Sequence, residues 1–329
     1  MKVLVIGGAG YIGSILVRQL AAAKKQVRLL DTFLYGKQPI SDMQKEINIV
    51  EADFRNMDIT RYCMKGYDAV VHLAAIVGDQ ACDLDKNLTM DINCKSAIEV
   101  AALAKSSGVK KFIFSSTCSV YGTNENILSE WSPLNPVSLY AESKIAAEKE
   151  IFAMSDDTFK VCIPRFGTIY GVSPRMRFDL VVNVLAAKAV QEKTITIDGG
   201  DQWRPFLHVS DAANAICHLL MTKHDGVFNI GNDSENYQIS QVGLLIQRET
   251  GTNIITCNEN KDKRNYRVSF QRIALTDFVT QWTVAKGIKE IVQLVHDQKL
   301  DFKNAKYSNL AFLKAGAIEK LQSFKGKSR

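Results

Sequence analysis

Through the first 170 or so residues, short apolar runs alternate with longer stretches whose apolar positions recur at helical spacing. KVLVIGG, QVRLLD, INIVEAD, YDAVVHLAA and KKFIFSS read as strands, while SILVRQLAAAKK and CKSAIEVAALAKSSG read as helices. This alternation is the pattern of a parallel sheet covered by helices on both faces, and it predicts an α/β protein built on a Rossmann-type doubly wound parallel sheet. SLYAESKIAAEKEI, residues 138–151, reads as a further amphipathic helix. After VCIPRFGTIYG the regular alternation breaks into VSPRMRFDLVVN and IDGGDQWRPFLHV, with later helices and short strands between them. That change predicts a smaller C-terminal α/β domain, giving expected spans of 1–171, with a return segment near 206–231, and 172–329.

Composition narrows the classes without naming one. The chain of 329 residues is 46% hydrophobic and 23% charged, ordinary for a soluble globular protein long enough for two linked domains. No apolar run approaches the ~18 residues of a membrane span. The start MKVLVIGGAG lacks the apolar core and cleavage site of a secretory signal, so a cytoplasmic location is expected. Seven scattered cysteines with no CxxC pair are expected to be reduced, packed thiols, and no metal site is expected. The net charge of +6 has no dense basic block except KLQSFKGKSR near the C-terminus, which reads as a solvated tail. Neither nucleic acid nor membrane is expected as a partner.

The first chemical signal is VIGGAGYIG. It places Gly7, Gly10 and Gly13, with Tyr11 and Ile12 among them, between the first strand and the first helix. Glycines there let backbone N–H groups and a helix N-terminus approach a pyrophosphate. The second strand then ends in RLLD, with Asp31 18 residues after Gly13. An acid at that position accepts both ribose hydroxyls of NAD and repels a 2′-phosphate, so NAD is the expected cofactor.

With the glycine turn, SSTCSVYG and YAESK in that order, the sequence resembles the extended short-chain dehydrogenase/reductase family of nucleotide-sugar epimerases and dehydratases, and within it the UDP-glucose 4-epimerase-like members. The resemblance covers nearly the whole chain. It implies that Asp53 and Phe54 of EADFRN flank the adenine, that Ala74, Ala75 and Ser115 lie beside the cofactor, and that Asn93 helps fix the active-site helix. Asn93 is counted with the cofactor-binding residues on that ground.

The resemblance also gives Tyr140 and Lys144 their meaning. Residues four apart on a helix share a face. Free tyrosine titrates near ~10, and a nearby ammonium together with a positive nicotinamide ring favours the phenolate. In the family the tyrosine takes a proton from a sugar hydroxyl while hydride leaves the same carbon, and the lysine also holds the nicotinamide ribose. Thr117 matches the hydroxyl that binds the reacting oxygen, with Ser116 able to share that task. Family 4,6-dehydratases carry Asp-Glu directly after this threonine, whereas Cys118 and Ser119 stand here. Cys118 reads as a packed thiol.

A nucleotide sugar carries a pyrophosphate, which arginine forks suit. Arg204, before the HVSD corner formed with His208 and Asp211, is carried over as a phosphate ligand, and Arg264 as a second clamp. Lys261, Lys263 and Arg267 leave the register around Arg264 open. Arg175, Arg177 and Asn183 fall in the segment that covers the nucleotide in the family, and Thr168 replaces a common asparagine. The implied enzyme is an NAD-dependent nucleotide-sugar epimerase acting by transient C4 oxidation, with a homodimer expected. A one-way hexose or heptose nucleotide 4-dehydrogenase or ketoreductase uses the same residues. A non-catalytic dinucleotide sensor is the remote alternative.

Overall fold

The computed structural model describes residues 1–259, 262–298 and 300–325. Lys261 and the end of the basic tail lie outside them. In chain order the strands are β1 (Lys2–Ile6), β2 (Gln26–Asp31), β3 (Asn48–Glu51), β4 (Ala69–His72), β5 (Lys111–Phe114), β6 (Ser116–Thr117), β7 (Thr123–Leu128), β8 (Lys160–Phe166), β9 (Thr168–Tyr170), β10 (Thr194–Asp198), β11 (Trp203–His208), β12 (Gly226–Ile230), β13 (Asn236–Gln238), β14 (Asn253–Cys257) and β15 (Asn265–Val268).

The main sheet runs β12-β8-β5-β4-β1-β2-β3, with β6 also pairing with β8, and every pairing in it is parallel. Its central strands are apolar on both faces because helices cover both. On one side Leu16, Val17 and Leu20 of the helix Gly13–Ala22 meet Ala212, Ile216 and Leu219 of the helix Val209–Met221. On the other, Val100 and Leu103 of the helix Ser96–Ser106 pack with Ala147 and Ile151 of the helix Leu139–Ala153. A third core joins Val182 and Ala186, Val242 and Ile246, and Ile288 and Ile291, from three helices beside the parallel pair β10 and β14.

Two details differ from the sequence reading. YDAVVHLAA is strand only as far as His72, because the chain then turns to bring Ala74 against the glycine turn. The chain after 172 is also divided between cores: beside the expected return of 209–230 to the sheet, Leu313, Ala317 and Leu321 pack into the core of the sheet's second face. Their apolar side chains find their cover there, far from the third core.

His72, at the C-terminal end of β4, is fully buried, and neither ring nitrogen has a hydrogen-bond partner. Phe54 meets it edge-on at 4.9 Å, and Phe112 and Phe114 stack at 6.4 and 6.0 Å. Burial, helped by the Lys144 charge, pushes it down to about 3, so the folded protein keeps it neutral while the unfolded chain takes up its proton near ~6.5. Stability therefore falls as pH drops below the unfolded value, by about 1.4 kcal/mol per pH unit from this one group. Denaturant unfolding between pH 6.5 and 5 should show that slope, and His72→Leu should remove it.

Candidate active site

At the end of β1 the backbone of Gly7 adopts φ +83°, and a Cβ there would lie 2.6 Å from the Ala74 nitrogen. A Cβ on Gly13 would collide with the Gly7 carbonyl and the Gly8 backbone. Only hydrogen side chains permit this turn, and it opens the N-terminus of the helix Gly13–Ala22 toward a cavity of about 960 Å³. Gly7, Gly10, Tyr11, Ile12 and Gly13 all line it. Asp31 lines it too, with its carboxylate accepting from the Ala9 N–H at 3.0 Å and the Phe33 N–H at 2.8 Å. Burial raises its pKa against those bonds. A carboxylate has about four lone-pair sites, so acceptor capacity remains for diol hydroxyls. The glycine cradle and this acid fit the dinucleotide that the sequence implies.

Asp53, Phe54, Ala74, Ala75 and Ser115 share the same lining. The Asp53 carboxylate is gripped by Arg55, whose guanidinium approaches to 2.7 Å and also reaches Asp91 and the Leu321 carbonyl. Asn93 is different. It does not line the cavity; its Oδ1 accepts from Ile76 N–H at 2.8 Å, and its Nδ2 donates to the Ile76 carbonyl at 2.9 Å and to Ser143 Oγ at 3.4 Å. It ties the loop after β4 to the helix that carries Tyr140, and both N–H donors of its buried amide are spent within the fold.

That helix, Leu139–Ala153, starts where Ser138 Oγ accepts from the Ala141 N–H. Tyr140, Lys144 and Glu148 follow one another at helical spacing along one face. Lys144 is 1% exposed, donates to the Ser115 carbonyl at 3.0 Å and lies 4.7 Å over the Phe114 ring. Burial pushes it down to about 8. Burial likewise pushes the Tyr140 phenol well above its usual value, with Cys82 and Asp79 adding to the effect and Arg177 opposing it. In the protein alone burial therefore favours the neutral phenol, and the Lys144 ammonium spends a hydrogen bond on the Ser115 carbonyl. Thr117, Tyr140 and Lys144 nonetheless line one cavity. Thr117 Oγ1 donates to Ser119 Oγ at 3.1 Å and accepts from the Ser119 N–H at 3.1 Å. Cys118 faces away, fully buried with Sγ donating to the Arg165 carbonyl at 3.3 Å, and burial pushes its thiol up.

Behind the trio runs a buried polar chain. Glu148 pairs with Arg165 of β8 at 2.6 Å and accepts from the Ser116 hydroxyl, while Arg165 donates to Tyr121 Oη at 3.0 Å and Tyr121 to Asn229 at 2.8 Å.

The arginines divide between two walls. Arg204 and Arg264 share the Asp262 carboxylate, and Arg264 also approaches Asp79 at 3.5 Å. Arg175 and Arg177 stand instead beside aromatic rings, Arg175 3.9 Å over the Tyr35 ring and Arg177 5.9 Å from that of Tyr11. All four line the cavity, as does Thr168, but Asn183 does not. Its amide is fully buried and is consumed by Gly171 N–H, the Arg177 carbonyl and Tyr11 Oη. His208 stacks on Trp282 at 4.0 Å, and Asp211 accepts from two backbone N–H groups at 281 and 282. Arg267 bonds the Glu125 carbonyl outside the cavity.

Sequence reasoning missed Tyr35, Arg55, Asp79, Asp262, Tyr266 and Asn309, all of which line the cavity. Asp79 follows HLAAIVG and Tyr35 follows the strand-end acid, so both had a local signal. Asn309 had none, being brought in from the far end of the chain. Among the described residues, no group of three or more His, Cys, Asp or Glu is placed to hold a metal, and no helix is long and apolar enough to cross a membrane.

The model of the NAD-dependent epimerase/dehydratase family matches residues 3–231. A protein described as an uncharacterized UDP-glucose epimerase, YtcB of Bacillus subtilis (strain 168), is 31% identical over 277 residues, covering 76% of this chain and 83% of that one. UDP-glucuronic acid decarboxylase 4 of Arabidopsis thaliana is 28% identical over 263 residues, and there the match spans 58% of the relative's length. The structure of MoeE5 in complex with UDP-glucuronic acid and NAD superposes with a TM-score of 0.80 at 26% identity, over 91% of this chain and all of that one.

The Glu148–Arg165 pair generates a prediction. Removing one partner of a buried ion pair leaves the other charge uncompensated, at a cost of about 3–5 kcal/mol. Arg165→Met should therefore lower stability by that order in denaturant unfolding, and the double change Arg165→Met with Glu148→Leu should recover most of it.

Proposed function

Because the chain belongs to the NAD-dependent epimerase/dehydratase family, we propose that it is a nucleotide-sugar 4-epimerase, acting by transient oxidation at C4 of a sugar linked to a nucleoside diphosphate. The bound NAD supplies a hydride acceptor and donor at the reacting carbon. Tyr140 Oη takes the proton of the C4 hydroxyl and later returns it, a step that positioned groups accelerate by ~10²–10⁴-fold. Thr117 Oγ1 holds the reacting oxygen. Lys144, protonated below about 8, supplies positive charge beside the phenol and is held in place by the Ser115 carbonyl. Arg204 and Arg264 grip the nucleotide's pyrophosphate, which takes the place that the Asp262 carboxylate holds between them. The chain is further proposed to work as a cytoplasmic homodimer, on the strength of the family resemblance.

The observation that carries an epimerase over a 4,6-dehydratase is the corner after Thr117. Eliminating water needs a further acid and base beside the sugar. Here Cys118 is sealed behind the strand and Ser119 is bound to Thr117 and near Tyr266. Among the acids that line the cavity, Asp79 is paired with Arg264, Asp262 with Arg204 and Arg264, Asp179 with Arg177 and Asp53 with Arg55.

Two measurements check this. Incubation of UDP-, GDP- and dTDP-sugars with the protein and trace NAD should yield a C4 epimer with no build-up of NADH; stoichiometric NADH or keto-sugar without an epimer would mark a one-way 4-dehydrogenase. Tyr140→Phe should retain folding and NAD binding and lose ~10²–10⁴-fold in turnover.

A further inference from the structure

Arg175 is a buried cation that forms no ion pair among the described residues. It is 6% exposed, and its Nε has no hydrogen-bond partner. Its Nη2 donates to Asn309 Oδ1 at 2.7 Å, and its guanidinium lies 3.9 Å from the Tyr35 ring centroid. The nearest available acid in its segment, Asp179, is committed elsewhere: Arg177 holds both its oxygens at 2.9 and 3.0 Å, and the Asn309 N–H donates to it at 2.9 Å. No described carboxylate forms an ion pair with Arg175. Burial pushes the guanidinium down to about 10, with the neighbouring Arg177 adding to the effect and the Tyr35 and Asp179 side chains opposing it. A buried, unpaired cation is costly unless a ligand completes it.

Position decides which ligand. Arg175 stands against Tyr35, four residues after Asp31, and it lines the cavity with the glycine turn. The other arginine pair, Arg204 and Arg264, stands on the separate wall with Asp262. We propose that Arg175, held by Tyr35 and Asn309, is a ligand of the dinucleotide's pyrophosphate and not of the nucleotide sugar's. The segment near Asn309 thereby becomes part of the cofactor site, since Asn309 also donates to the Val77 carbonyl in the loop after β4. This rests on the NAD reading of the cavity and is independent of which sugar is turned over.

The test measures binding, not turnover. NADH, ADP, adenosine and whichever of UDP or GDP the wild type binds are titrated separately against wild type, Arg175→Gln and Arg175→Lys, with thermal unfolding run alongside. Losing a charge-assisted bond to phosphate should weaken NADH and ADP at least ~10-fold in Arg175→Gln. Adenosine, which has no phosphate, and UDP or GDP should stay within about twofold. Arg175→Lys, which keeps the charge and removes the fork, should lose less and serves if the glutamine variant does not fold. Weakened UDP or GDP with unchanged NADH would overturn the proposal and place Arg175 on the substrate side. Unchanged binding of every ligand would overturn it in favour of a purely structural ring contact. If wild type binds NADH and ADP but neither UDP, GDP nor dTDP, the epimerase reading fails while the NADH and ADP arms still decide Arg175.

Discussion

A lysine held at 1% exposure, with the Ser115 carbonyl as its hydrogen-bond acceptor and an aromatic face beneath it, is the constraint on which the rest of the site depends. Burial of an ammonium is unfavourable, so the helix that carries it must be fixed from elsewhere. Glu148, one turn further on, does this by pairing with Arg165 of β8, and Asn93 does it from the other side by joining Ile76 to Ser143. With the helix fixed, Tyr140 and Thr117 line the same cavity, and the phenol is raised above its usual value by burial. The resting site thus holds a neutral phenol beside an ammonium that stays charged below about 8.

The same economy governs the ligand walls. Glycines at 7 and 13 leave no room for a side chain, which brings β1, the loop after β4 and the first helix within reach of one another. On the opposite wall Arg204 and Arg264 already share a carboxylate, so the anion proposed for them meets guanidinium groups that have a partner in the protein. Arg175 has no such partner, and this asymmetry is why the two arginine groups are assigned to different ligands.

Much of the fold was legible because the signals are local. Each apolar run of the parallel sheet and the spacing of Gly7, Gly10, Gly13 and Asp31 can be read within a few residues, and so can the Tyr140–Lys144 pair. The reading weakened where it had to say which way a polar side chain spends its bonds. Asn93 and Asn183 lie in the segments where ligand contacts were sought, yet both amides are spent on backbone groups. Arg55, Asp262 and Asn309 act through partners set by tertiary packing, with Arg55 reaching Leu321 across the whole chain. Spacing carries no trace of such contacts. The depth at which Tyr140 is buried, which raises its phenol in the protein alone, is likewise a matter of tertiary packing that spacing does not carry.

The central claim, that one hydride leaves C4 and returns to it within the same closed site, is tested most directly by isotope. A sugar nucleotide that the protein turns over, deuterated at C4, is incubated with unlabelled NAD and both sugars are recovered for mass spectrometry. The account predicts a C4 epimer that retains the deuterium at C4. Deuterium lost from the product, or found in released NADH, would contradict it.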